Sequence, residues 1–316
     1  MATILITGAA GNLGSHLARH LLSSEHSLRL MVHRTPLSDD LSSADNVTVV
    51  HADLGRAETV TQAVEGVDVV VHFAGVLFAP RPEKFLPRTN TEWFSNLVDA
   101  CISAGVSRVV LVSFPHVEGP TTPQSPATGR LDCEPISVHA KTRLEEERLL
   151  MSRTEGTDSA PVILRLGMVY GRGILMIDAA HWLARRRLLA VWPEPTWIHL
   201  VSMPDFLTAT EAAAVRPGVR GIYHVGDDEP VTLQHFLDEV CGIWHVPRPW
   251  RLPPWMIYTA AQFCETFALV TGSRSPLTRD FVTIGRVSYT GDPARARKEL
   301  IPELQYPSLE SGKILL

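Results

Sequence analysis

TILITGAAGNLG, residues 3–14, reads as a β-branched strand that stops at a glycine and turns straight into a helix. Gly8, Gly11 and Gly14 recur at every third position, and NLGSHLARHLL (12–22) carries the apolar spacing of a helix. A glycine triplet alone is a weak signal. Between a strand and a helix it has a mechanism. A backbone without side chains can approach a pyrophosphate, and the helix N-terminus offers unpaired N–H groups and positive potential. Gly8, Gly11, Asn12, Leu13 and Gly14 are therefore candidate cofactor-binding positions. The bland alternative is an ordinary tight strand–helix turn.

Outward from this turn the same rhythm repeats. LRLMVH (28–33), VTVVHA (47–52), VDVVVHFAG (67–75), SRVVLVS (107–113) and APVILRLGMVYG (160–171) are apolar, β-branched runs, with helical patterns such as NTEWFSNLVDACISAG (90–105) between them. Strands that read as continuous apolar runs are buried on both faces. The expected fold is α/β: a doubly wound parallel Rossmann sheet with a smaller, mostly helical C-terminal substrate lobe. The boundaries expected are 1–171 plus 201–241 for the sheet domain, and 172–200 plus 242–316 for the lobe. Thr232 reads as a helix N-cap and Asp205 as a helix entry. In the lobe, apolar residues at 256, 257, 260, 263, 264, 267 and 268 form a stripe that reads as core-facing, with a lid over a lipophilic substrate as the sharper alternative.

Bulk composition removes other classes. The chain has 316 residues, 45% hydrophobic and 20% charged, with a net charge of −5, which argues for a folded globule and against a nucleic-acid partner. Arg185, Arg186 and Arg187 read as a solvated helix end. Cys101, Cys133, Cys241 and Cys264 are far apart and no His/Cys pair has metal spacing, so no metal is expected. There is no apolar run long enough for a membrane span and no signal sequence, so the expected location is cytoplasmic.

The second strand ends in His33 and Arg34, with no carboxylate. An acid there usually holds the ribose hydroxyls of NAD, and an arginine the 2′-phosphate of NADP, so NADP(H) is favoured over NAD(H). Asp53 and Leu54, after the third strand, are placed to border the adenine. Phe73, Ala74 and Gly75, after the fourth, would let the backbone pass the second ribose.

Taken together, TGAAGNLG, ADL, HFAG, TNTEWFSNLVDA, a lysine early in the next long helix and RLGMVYGRG resemble the extended short-chain dehydrogenase/reductases, the NAD(P)-dependent epimerase/dehydratase superfamily. GIYHVGDDEPVTLQHFLDEV and YTGDPARARKEL are similar to its branch of 3β-hydroxysteroid dehydrogenases and dihydroflavonol reductases. The resemblance implies an NAD(P)-dependent oxidoreductase or epimerase acting on a small, lipophilic carbonyl or alcohol, and a possible homodimer. It also implies a catalytic Ser or Thr after the fifth strand and a YxxxK on the following helix. Here Phe114 falls on the first and EPISVHAK (134–141) puts Ser137 on the tyrosine, leaving Lys141. Ser137 is shorter and a much weaker acid than a phenol of pKa about 10.

Four residues stand as catalytic candidates: Lys141, which the resemblance assigns to the nicotinamide ribose; His116, the first choice for a substitute proton donor, since histidine titrates near neutrality; Ser137; and Tyr170. Phe114, His116 and Met168 are taken to line the substrate pocket. His139, two residues from both Ser137 and Lys141, falls on another helical face and reads as surface or packing. Glu118 is a further loop acid, and Asn90 reads as a cap or a sheet–loop hydrogen bond. A non-redox cyclase, dehydratase or isomerase, or a non-catalytic dinucleotide sensor, are the alternative functions.

Overall fold

The computed structural model describes residues 1–75, 81–273, 275 and 277–316. Seven strands form one sheet: β1 (Thr3–Thr7), β2 (Ser27–Val32), β3 (Val47–His51), β4 (Val69–His72), β5 (Arg108–Ser113), β6 (Ala160–Leu166) and β7 (Gly221–Val225). Their order is β7-β6-β5-β4-β1-β2-β3, and every pairing is parallel. The main helices are α1 (Asn12–Leu21), α2 (Ala57–Val64), α3 (Trp93–Ser103), α4 (Val138–Arg153), α5 (Leu175–Arg185), α6 (Met203–Val215), α7 (Leu233–Ile243), α8 (Pro254–Thr271) and α9 (Arg279–Gly285).

The period-2 alternation of a strand explains the double winding. Ile4, Ile6, Val69, Val71 and Val110 pack with Leu17 and Ala18 of α1 and Phe206 and Ala209 of α6 on one face. Leu5, Val70, Val109 and Leu111 pack with Val60 of α2, Phe94 and Leu97 of α3 and Leu150 of α4 on the other. The chain reverses direction across the sheet between β1 and β4, so a crevice opens at their carboxyl ends, where such folds place ligands.

Three expectations need correction. The run 160–171 is not one strand. A Cβ at Gly167 would lie 2.5 Å from the His199 oxygen, and past that close approach Met168–Tyr170 leaves the sheet to pair with Leu200–Ser202. Helix α6 is capped by Ser202, whose side chain accepts from the Asp205 N–H, so entry is at Met203 and not at Asp205; Thr232 caps α7 as expected. In α8 the buried residues are Ile257, Ala261, Glu265 and Ala268, while Phe263 and Phe267 are exposed. This helix is apolar nearly all round, so periodicity could not fix its inner face. Among the described residues no helix is long and apolar enough to cross a membrane.

Candidate active site

The glycine turn sits at the β1/β4 crevice. Gly8 has φ +69, and a Cβ there would lie 2.9 Å from the Ala74 backbone nitrogen. A Cβ at Gly14 would lie well inside 3.0 Å of the Gly8 carbonyl oxygen, and one at Gly11 would lie 3.0 Å from the same oxygen. The Gly11 N–H donates to that oxygen at 2.8 Å. No side chain caps α1 and no acid lies in its first turn, so its N-terminal N–H groups and positive potential are left for an anion. The cradle fits a dinucleotide pyrophosphate. Of the two non-glycine positions, Leu13 packs against the core. The Asn12 amide donates to the Gly173 oxygen at 2.7 Å and accepts from the Leu175 N–H at 3.0 Å. The Asn12 side chain is thus a tether to the start of α5, and only its backbone remains for a cofactor.

At the rim, His33 lies 3.5 Å from the Asp53 carboxylate, which also accepts from the Gly55 N–H at 2.9 Å. Leu54 packs on the core below. Arg34 is exposed and makes no ion pair among the described residues. On the inner side, the Thr7 hydroxyl accepts from the Ala74 N–H and lies 2.8 Å from His72 Nδ1. Burial pushes His72 down to about 3, with Arg143 adding to the effect. The ring is neutral, and its Nδ1 shares a hydrogen bond with the Thr7 hydroxyl. This bond holds Phe73, Ala74 and Gly75 against the glycine turn.

Helix α4 overturns the expected geometry of the reaction corner. Ser137 is not a turn inside it: it is the N-cap, and its hydroxyl accepts from the Ala140 N–H at 3.1 Å. A hydroxyl committed to a cap is a poor proton donor. Lys141 is exposed, on the outer face. The residues that face inward are His139, Arg143 and Glu147, spaced by four and therefore stacked along one face. His139 is buried, and its Nδ1 bonds Asp280 of α9, whose other oxygen accepts from the Val138 N–H at 3.2 Å. Arg143 Nη2 lies 3.3 Å from where a Cβ on Gly75 would be, and Nη1 lies 2.9 Å from Glu146. Burial pushes Glu146 up to about 8 against the pull of Arg143. Glu147 bonds the fully buried Arg165 of β6 at 2.6 Å and accepts from Ser113. Asn90 is not a cap: its amide donates to the Thr142 hydroxyl at 3.1 Å, tying α4 to the turn before α3.

The remaining candidates are held elsewhere. The ring nitrogens of His116 are sealed from solvent without hydrogen bonds, and its ring centroid lies 3.9 Å from that of Tyr289 and 5.5 Å from that of Phe114. Burial pushes His116 down to about 3, so at neutral pH it has no proton to give. Met168 is half-buried against the core. Burial pushes Glu118 up, but the His224 ring 3.5 Å away, the hydrogen bond from the Gly129 N–H and the Arg165 charge hold it at about 2. It is locked in the loop it was expected to act from.

Tyr170 is fully buried, its hydroxyl donates to the Ser308 oxygen at 3.4 Å, and burial pushes it far above an ordinary phenol. It is a core residue. Beside it, burial and the Asp205 carboxylate push Asp227 up to about 7. Unfolded, such a carboxyl ionises near pH 4, so stability present in full below about pH 4 is lost as the pH rises toward 7, by up to about 4 kcal/mol. Urea midpoints of the wild type and Asp227→Asn should diverge over this range, the variant gaining on the wild type as pH rises. A gap that does not change with pH contradicts this.

His139 was read as surface or packing, and Arg143 and Asp280 were not singled out, because their contacts come from Gly75 and from α9, far away in the sequence. The available signal for the helix start was Ser137 itself, an N-cap residue after a proline-rich loop.

The chain is similar to known proteins in sequence and fold. The sequence model of the NAD dependent epimerase/dehydratase family matches residues 4–209. The chain is 32% identical over 144 residues to 3 beta-hydroxysteroid dehydrogenase type 7 of Mus musculus, which is 43% of this chain and 39% of that protein. The chain thus spans about two-fifths of the length of that relative. It is 24% identical over 300 residues to 2-alkyl-3-oxoalkanoate reductase of Shewanella oneidensis, covering 88% of this chain and 76% of that one. Among solved structures, MoeE5 in complex with UDP-glucuronic acid and NAD matches with a TM-score of 0.76 at 22% identity, over 99% of this chain and 97% of the other, a likeness of fold.

Proposed function

This chain belongs to the NAD dependent epimerase/dehydratase family, and from that premise we propose that it is an NADP(H)-dependent oxidoreductase of a small, lipophilic carbonyl or alcohol. The observation that carries the proposal is the glycine turn packed on Ala74 with Arg34 open at the end of β2. Residues 1–171 and 201–241 hold the dinucleotide. Residues 172–200 and 242–316 close over the substrate. The α1 N-terminus binds the pyrophosphate, Arg34 the 2′-phosphate, Asp53 and Leu54 border the adenine, and the Phe73–Gly75 backbone passes the second ribose. When bound, the nicotinamide supplies or accepts hydride. The lipophilic substrate is supported by relatives named for a 3-oxoalkanoate and a 3β-hydroxysteroid.

Fluorescence titration tests the cofactor. Arg34→Ala should weaken NADPH about tenfold or more, roughly 1.4 kcal/mol, and NADH less than about twofold. Equal loss for both removes the phosphate role. Incubation of the wild type with NADPH and a panel of 3-oxo esters and ketosteroids tests the reaction. Turnover of a panel compound without net NADPH oxidation would instead mark a non-redox isomerase or dehydratase.

A further inference from the structure

We infer that α8 is a membrane-surface helix, whose outward face rests on an anionic lipid bilayer and lies in the interface without crossing it. The inference goes beyond the dinucleotide reading and does not rest on it.

The face is set by the packing of α8. Ile257, Ala261, Glu265 and Ala268 turn inward, and Ile257 and Ala261 join the core. The exposed residues cover the remaining arc of about 200°, at about 100° per residue. Trp255, Met256, Phe263, Phe267, Leu269 and Val270 stand on it, with Phe263 72% and Val270 82% exposed. The rest of the arc is Thr, Ala and Gln, and no exposed residue from Trp255 to Thr271 is charged. A solvated helix carries charges on its outer face. Water is therefore a poor partner for this one, along about 27 Å of its length.

Charge chooses the occupant. The stretch 242–289 holds five arginines (248, 251, 274, 279 and 286) and two acids, a net of +3 in a chain of net −5. Both acids are spent inward. Glu265 accepts from the Arg279 N–H at 2.7 Å and pairs with its guanidinium at 2.9 Å. Asp280 holds His139 and the Val138 N–H. Arg248 and Arg286 are exposed and make no ion pair among the described residues. Two copies meeting through this face would bring two +3 stretches together. Anionic headgroups instead attract each arginine that reaches them, by about fivefold in affinity apiece. At the entry of α8, Trp250 and Trp255 are 61% and 67% exposed and flank Arg251, which also pairs with Asp238. Indole beside cation is the mixture that settles at a lipid–water boundary. Tyr258 of α8 lies 3.1 Å from Thr283 of α9, and α9 closes the start of α4 through Asp280, so the docked helix is tied through α9 to α4.

Co-sedimentation of the full chain with vesicles tests this. Wild type should pellet with vesicles of equal parts phosphatidylcholine and phosphatidylglycerol, and bind vesicles of phosphatidylcholine alone about tenfold more weakly or worse. Phe263→Ser with Phe267→Ser should weaken binding to the mixed vesicles about a hundredfold, and Arg248→Gln about fivefold. Both changes lie on exposed side chains, so NADPH affinity should stay within about twofold of wild type in each variant, which shows that they fold. No sedimentation with the mixed vesicles, sedimentation that survives the double change, or equal affinity for phosphatidylcholine alone each overturns the proposal. Light scattering that finds a wild-type dimer and a monomeric double variant would give the face to a second copy, and also overturns it. A wild type that pellets with the mixed vesicles but binds neither NADPH nor NADH would remove the dinucleotide reading and leave this one standing.

Discussion

Gly14→Ala is expected to abolish dinucleotide binding. The added Cβ would lie well inside 3.0 Å of the Gly8 carbonyl oxygen, a backbone atom with no rotamer to change. Gly8 has little room to retreat on its Cβ side, because a Cβ built there would already lie 2.9 Å from the Ala74 nitrogen. The clash is relieved only by moving α1 away from the end of β1. That removes the helix N-terminus from the place where the pyrophosphate must lie. Overpacking of this kind costs about 1–3 kcal/mol of stability. The larger effect is on NADPH affinity, which should fall about a hundredfold or more, roughly 2.7 kcal/mol. Gly11→Ala is the graded control. Its Cβ meets the same oxygen at 3.0 Å, which a small shift can relieve, so its loss should be several-fold smaller. Gly14→Ala protein with affinity within about tenfold of wild type would mean that the turn does not approach a pyrophosphate.

Arg165→Met should be the most destabilising single change near the site. Arg165 is fully buried, and it donates to both oxygens of Glu147, to Glu118 and to the Arg130 carbonyl oxygen at 2.8 Å. Removing it leaves two carboxylates in the interior without their cation. Breaking a buried pair from one side costs about 3–5 kcal/mol, a third or more of the stability of many domains. The urea midpoint should fall accordingly with little change in the slope of the transition. Arg165→Met with Glu147→Leu should recover part of the loss, since the second change removes one of the stranded charges. A loss below about 1 kcal/mol in Arg165→Met would show that the cluster is hydrated.

The sheet and the nucleotide corner were legible because their signals are local. Thr3–Thr7, the three glycines and the apolar runs each state their role within a few residues. The reaction corner was not. Where α4 begins does not decide which of its faces meets the sheet: Lys141 and Arg143 lie about 200° apart around the helix, and packing chooses between them. Ser137 fixed that start through a bond to its own Ala140 N–H, but a serine in SVHAK reads equally well as a replaced tyrosine. The burial of His116 was not legible for another reason. Its loop position is visible in the sequence, but its burial against Tyr289 comes from a residue far along the chain. Asp280 was invisible for the same reason.

The cap on α4 limits how such a chain can be divided. The N-terminus of the helix is closed by its own Ser137 and by Asp280, 142 residues beyond Val138. The sheet half therefore does not carry every contact that closes the start of α4 within its own sequence. Exchange of the tail from residue 242 onward would remove the carboxylate that bonds His139 and the Val138 N–H. Modularity here ends one residue short: a chimera retains this closure of α4 only if its new tail brings a carboxylate back to position 280.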